Sequence, residues 1–252
     1  MRFYLALLLV SYVTLYPLSI LRNTISFGQQ GKDWNGLCRA GKKQSPINID
    51  TNIVKIPKEI LNINYSTIKG DVKWNGSFYR LDVQGKDNKL TFTDFFTGKT
   101  QDYILRRIVI KTPSEHKLKG KQYESEIQFI NLAENCELKN DLTIISVFLT
   151  NTKKNQNHEF INGFKLTGNA EINNVKKMFD DFKSYVFYEG SQTVPDCKEN
   201  VNWFVYETPI EATTSFLTQL KKNFCQDHPF GNARFEQSVS GRTVFRYEKP
   251  SK

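Results

Sequence analysis

Metal-binding side chains are scarce in this chain of 252 residues, which has three histidines and four cysteines. His116, His158 and His228 stand far apart. No two of them are separated by one residue, the spacing that turns two imidazoles to one strand face and onto one ion. The spacing offers no local pair of histidine ligands, and no cofactor is expected. Acidic residues are also thin: none precedes Asp33, and 26 Asp and Glu face 35 Lys and Arg, for a net charge of +9 and a pI of about 9.2. That balance suits anionic lipid headgroups or an acidic partner. Nucleic acid is set aside, because the lysines are dispersed and no recognition motif accompanies them. No internal repeat is visible, and one domain accounts for a chain that is 39% hydrophobic.

What is present begins with a long apolar run. Phe3 to Leu21 holds nineteen uncharged residues between Arg2 and Arg22, close to the length that spans a bilayer. It reads as a retained single-pass anchor. The alternative is a cleaved signal peptide, with Arg2 as a short positive region and Leu5 to Val10 as its apolar centre, although Thr24 and Ser26 do not make an A-x-A site. Residues 1–26 are therefore assigned to an anchor or signal segment and 27–252 to the domain.

The rest is dominated by strand patterns. Ser77 to Val83, a Gly-Lys-Asp-Asn turn and Lys89 to Phe92 read as a hairpin, and Leu142 to Leu149 is a continuous apolar run suited to a buried central strand. Helices are few. Val175, Met178, Phe179 and Phe182 form one apolar stripe, and Phe216, Leu217, Leu220 and Phe224 form another that opens with the capping-box sequence Thr208-Pro209-Ile210-Glu211. Both stripes read as core contacts. The polar run Asn151 to His158 reads as a solvated loop, with His158 a surface residue.

Four segments carry a more specific signal. Ile108-Val109-Ile110-Lys111-Thr112-Pro113-Ser114-Glu115-His116 precedes Gly120 to Gln128; Trp34 and Cys38 precede Gly41-Lys42-Lys43-Gln44-Ser45-Pro46-Ile47-Asn48-Ile49. Tyr188 to Trp203 contains Gly190-Ser191-Gln192-Thr193-Val194-Pro195-Asp196-Cys197, and Asn232-Ala233-Arg234-Phe235-Glu236-Gln237 is followed by Gly241-Arg242. In this order they resemble the α-carbonic anhydrase family, and specifically a carbonic-anhydrase-related, acatalytic member. The resemblance implies a mainly β fold with a few helices (α+β), a large central twisted, mostly antiparallel sheet with peripheral short helices.

Read residue by residue, the resemblance implies a vestigial pocket. The family's three zinc-binding histidines match Val109, Lys111 and Gln128. Valine has no donor atom, the lysine ammonium no free lone pair, and glutamine is a weak neutral ligand. The proton-shuttle histidine matches Ser77, the pocket-wall leucine Gln192, and the second threonine of the L-T-T-P-P motif Val194. Thr193 and Glu115 match the gatekeeping threonine and the glutamate that accepts its hydroxyl; Glu126 matches a supporting carboxylate, and His116 a supporting histidine. Two readings of Lys111 stand side by side: its ammonium pairs with Glu126 or Glu115 in place of the lost cation, or its stem lies along the wall with its head in water. The resemblance also implies a Cys38–Cys197 disulfide, which in the chain-entropy model contributes roughly 5 kcal/mol and belongs in an oxidising compartment. Cys136 and Cys225 form a second bridge or remain thiols.

These readings favour a membrane-held, catalytically inactive domain that binds a protein partner or serves as an accessory subunit of a larger complex. The alternatives are binding of a small, bicarbonate-like anion by Lys111 and Thr193 in the emptied pocket, or residual carbonic anhydrase (hydro-lyase) activity. Esterase-like chemistry ranks below both, since no histidine is placed to activate Thr193. A deep open cavity lined by Lys111 and Thr193 would favour the anion; a cavity filled by Val109, Gln128 and Gln192 would favour the interaction domain. Two addresses fit: the secretory or extracellular side, where Asn64-Tyr65-Ser66 and Asn75-Gly76-Ser77 are glycosylation acceptors, or the mitochondrial inner membrane facing the intermembrane space.

Overall fold

A computed structural model describes residues 25–50, 53–135, 138–224 and 228–250. The apolar segment Phe3 to Leu21, Cys136 and Cys225 lie outside the described residues. In chain order the strands begin with β1 (Asn48–Ile49), β2 (Ile53–Lys55), β3 (Leu61–Asn64), β4 (Ile68–Trp74), β5 (Tyr79–Val83) and β6 (Lys89–Thr93). They continue with β7 (Thr100–Lys111), β8 (Lys117–Leu118), β9 (Lys121–Gln122), β10 (Ser125–Ala133) and β11 (Leu142–Asn151). The last are β12 (Gly168–Ile172), β13 (Ser184–Gly190), β14 (Val201–Ala212) and β15 (Val244–Glu248). The helices are short: α1 (Leu37–Ala40), α2 (Glu159–Phe164), α3 (Val175–Asp181) and α4 (Thr214–Lys221).

Twelve strands form one sheet in the order β12-β4-β5-β7-β10-β11-β14-β13-β15-β2, with β6 also on β7 and β3 on β6; β1, β8 and β9 form a small second sheet. Within the large sheet the β11–β14 and β15–β2 pairings are parallel and the rest antiparallel.

The central strands are covered on both faces. Side chains alternate along a strand, so Phe204 and Tyr206 of β14 enter the larger core with helices α2, α3 and α4, while Trp203 and Val205 enter the smaller core on the opposite face. In β11 the division is the same, with Ile145, Val147 and Leu149 on one side and Ile144 and Phe148 on the other. This double burial explains why Leu142 to Leu149 carries no polar alternation. Val175, Met178 and Phe179 of α3, with Phe182 just beyond, pack into the larger core as expected.

Three local expectations are corrected. β5 and β6 do not pair with each other. Both are antiparallel to β7, β5 along Arg107 to Ile110 and β6 along Thr100 to Ile104, so the chain continues in one direction along a strand long enough to hold both. The 84–88 segment bulges between them, where Leu105 N–H donates to the Asn88 carbonyl at 2.8 Å. Thr208 to Glu211 extends β14 and caps nothing. Pairing with β11 claims this segment, and α4 opens at Thr213, whose hydroxyl accepts from Phe216 N–H. His158 is half-buried and caps α2, its Nδ1 accepting from Phe160 N–H at 3.2 Å. Thr213→Ala is expected to lower stability by about 1 kcal/mol, and exposed Thr208→Ala by less than about 0.5 kcal/mol; urea denaturation of the two variants distinguishes the caps.

Candidate functional site

The pocket is built where β7 and β10 lie side by side. Residues two apart share a strand face, so Val109 and Lys111 project together from β7, and Glu126 and Gln128 from β10. The register sets Val109 opposite Gln128 and Lys111 opposite Glu126. After Lys111 the chain leaves the strand and turns back, bringing Glu115 and His116 over the same ground. The pocket is therefore supplied from both strands and from the turn that follows β7.

Glu115 is the hub. One carboxylate oxygen accepts from the Lys111 ammonium at 2.9 Å and from Arg234 N–H at 3.0 Å; the other accepts from Gln128 Nε2 at 2.8 Å and the Thr193 hydroxyl at 2.5 Å. Lys111 also donates to the Asn232 carbonyl at 3.3 Å, and its ammonium lies 5.0 Å from the Phe27 ring centroid and 5.4 Å from that of Phe78. Lys111 is only 1% exposed and Glu115 2%. Of the two pairings expected for Lys111, the structure places it with Glu115, although Glu126 is its cross-strand neighbour, and the alternative with the head in water is excluded.

Glu126 has other partners. It accepts from the backbone N–H groups of Glu115 and His116 at 2.9 and 2.8 Å, while its second oxygen meets His116 Nδ1 at 2.9 Å and Gln128 Nε2 at 3.0 Å. Burial alone would raise this carboxyl, but the His116 ring and these hydrogen bonds outweigh it and hold the group at about 2. His116 Nε2 lies 2.6 Å from the Tyr188 hydroxyl, which donates to Ser45 Oγ at 3.0 Å, so the small core and the pocket share one polar network. Arg234, with burial lowering it to about 10, anchors the opposite wall by donating to the Ser45 and Cys38 carbonyls, each at 2.7 Å.

Of the remaining expected residues, Ser77 stays joined to the pocket through Asn232, which donates to its carbonyl at 2.9 Å, while Gln192 and Val194 have no hydrogen bond to Glu115 or Lys111 among the described residues. Gln192 turns to Asn200 Oδ1 at 3.3 Å and does not fill the cavity; Val194 is half-buried, its carbonyl accepting from Cys197 N–H. Ser77 is buried and bonded twice to the backbone of Ile25, through Ile25 N–H at 3.0 Å and the Ile25 carbonyl at 3.2 Å. This clasp leads directly into Phe27, 0% exposed, whose ring lies with that of half-buried Phe78 against the Lys111 ammonium, and Val109 and Gln128 are buried on the same strand pair. Phe27, Phe78, Asn232 and Arg234 are the site residues that sequence reasoning missed. Asn232 and Arg234 lay in a quoted motif, but Phe27 carried no signal. Gly231 explains how Asn232 arrives: at φ 88° a Cβ here would collide with the Thr112 carbonyl, the acceptor of Asn232 N–H at 2.9 Å. Cys38 and Cys197 form a disulfide that ties the Thr193 loop to α1 across 159 residues.

The fold and this constellation agree with a match to the family model of eukaryotic-type carbonic anhydrase over residues 29–248. The chain belongs to that family. Among relatives, a carbonic anhydrase of Neisseria gonorrhoeae is 28% identical over 188 residues, covering 73% of this chain and 70% of that protein. Dioscorin dioA3 of Dioscorea japonica is 25% identical, covering 89% and 82%. Among solved structures, dioscorin complexed with ascorbate superposes with a TM-score of 0.72 at 22% identity over 86% of this chain and 90% of that one, a likeness of fold alone. The Thermovibrio ammonificans α-carbonic anhydrase with sulfanilamide gives 0.67 at 26%, over 83% and 89%.

Family membership implies zinc, and the donors at the three assigned positions do not fit it. Val109 offers no lone pair, Lys111 donates to Glu115 and Asn232, and the Gln128 amide nitrogen donates to both glutamates. Among the described residues no group of three His, Cys, Asp or Glu could hold a metal ion. The arrangement as it stands neutralises a buried ammonium.

Two outcomes are expected. Lys111→Met and Glu115→Gln should each destabilise by about 3–5 kcal/mol, with strong coupling in the double variant, because each leaves a buried charge unpaired; denaturant unfolding of the cycle measures this. Because the Glu126 carboxyl sits below its ordinary 4.5, its contribution is complete above pH 4.5 and is lost as the pH falls toward 2. Glu126→Gln should flatten the acid limb of the stability profile.

Proposed function

We propose that this is a catalytically silent carbonic anhydrase domain, held at a membrane by its N-terminal segment, that serves as an interaction domain or accessory subunit of a larger complex. The observation that carries the reading is the buried Lys111–Glu115 pair, closed over by Phe27 and Phe78. In the family pattern Thr193 and Glu115 orient the reacting hydroxide on zinc. Here Glu115 is taken by Lys111, and Val109 and Gln128 supply no ligand set, so the two residues brace the structure. Retention of the fold after loss of the chemistry is ordinary, since function resides in the site and stability in the sheet. The disulfide supports an oxidising compartment. Among the described residues no helix is long and apolar enough to cross a membrane, which leaves anchoring to the segment Phe3 to Leu21.

The competing use of the pocket, a bicarbonate-like anion held by Lys111 and Thr193, meets a geometric obstacle. Both donors are buried and committed to Glu115, so an anion would have to displace a charged partner that accepts four hydrogen bonds. Purified full-length protein is expected to contain no stoichiometric zinc and to leave carbon dioxide hydration at the buffer rate; zinc with hydration would overturn the inactive reading. After mild detergent extraction, the native protein is expected to migrate in a complex well above its own 29.3 kDa. Migration as a free, detergent-independent monomer would remove the membrane and accessory roles.

A further inference from the structure

A second cavity, of about 500 Å³, shares no residue with the closed pocket. It opens between the turn after β6, the segment before β11 and the entry to β15. One wall is aromatic: Phe92, Phe95, Phe96, Phe187 and Phe245 line it. Their rings form a continuous cluster, with Phe95 and Phe96 4.0 Å apart, Phe95 and Phe245 4.8 Å, and Phe92 and Phe187 5.4 Å. Phe96 is 74% exposed, the most exposed large apolar side chain of the described residues, and it faces this opening. At the base, the buried amides of Asn140 and Asn202 bond each other at 2.8 Å.

The rim is cationic. Lys42, Lys43, Lys139 and Arg242 line it against two carboxylates, Asp94 and Glu189. Glu189 is shared by Lys43 at 2.7 Å and Lys139 at 3.5 Å, while Asp94 accepts from the N–H of Phe96 within its own loop. Arg242 is fixed by backbone carbonyls, among them Gln44 at 2.7 Å and Glu189 at 3.1 Å, so it keeps its position and its charge without a carboxylate on its guanidinium. The cavity thus combines an apolar wall of ligand-binding size with an excess of positive charge at its mouth.

We propose that this cavity binds a small amphipathic organic anion, an aryl or acyl carboxylate whose apolar body lies among the phenylalanine rings while its head meets Lys42, Lys43 and Lys139. A neutral apolar ligand would leave the cationic rim uncompensated, and a hydrophilic anion would leave the aromatic wall in water. The site is independent of the silent-domain reading, since it uses none of that pocket's residues.

Full-length protein in one nonionic detergent is titrated calorimetrically with 2-naphthoate and with decanoate, and with their neutral alcohols, each ligand's micelle partition being measured in protein-free detergent and its free concentration corrected accordingly. One-site binding is expected for at least one carboxylate, with the binding partner identifying an aryl or an acyl body. Affinity should fall about tenfold in the alcohol, in Lys139→Glu and in Phe96→Asp. Both substitutions are at exposed side chains, and unchanged melting curves show that the fold is retained. Absence of saturable binding by either carboxylate, equal binding of the alcohol, or affinity unchanged in both variants overturns the proposal.

Discussion

Burying a lysine ammonium beside a sheet costs several kcal/mol unless a carboxylate of good geometry and further acceptors replace its water. Lys111 meets that condition through Glu115 and the Asn232 carbonyl, with two aromatic faces completing its surroundings. The constraint propagates. Glu115 can hold Lys111 only because Arg234, Gln128 and Thr193 fill its other acceptor positions, and those residues come from the C-terminal segment, from β10 and from the disulfide-tied loop. One charge pair thus organises distant parts of the chain.

The division of labour between the two glutamates follows from backbone geometry. Glu126 faces Lys111 across the strand pair, yet its oxygens are claimed by the backbone N–H groups and ring of the segment that turns back after β7. Glu115, arriving on that same segment, is left to receive the ammonium. Burial would disfavour the Glu126 charge; the His116 ring and the hydrogen bonds from His116 and Gln128 outweigh it, so the two carboxyl groups occupy distinct environments.

The Lys111 site and the cavity beside β15 contrast with each other. The former has buried Lys111, Glu115 and Phe27, with Ile25 and Ser77 bonded nearby, and its donors are taken up by Glu115. The other, between the β6 turn and β15, keeps an exposed ring and more cationic than acidic side chains.

The resemblance carried by four motif segments implied the mainly β fold and the match of Val109, Lys111 and Gln128 to ligand positions, side-chain chemistry then showed that those three lack suitable donors, and the continuous apolar run Leu142 to Leu149 was enough to indicate a strand buried on both faces. They did not specify that β5 and β6 would run end to end along β7, since a turn-like composition at 84–88 says nothing of the length of the strand that receives both neighbours. Nor did local capping chemistry at Thr208 prevail over pairing with β11. The partner of Lys111, the turning away of Gln192 and the closure by Phe27 were settled by tertiary structure alone. Each brings together groups distant in sequence, and packing and the satisfaction of buried polar atoms choose among contacts that the sequence leaves equally available.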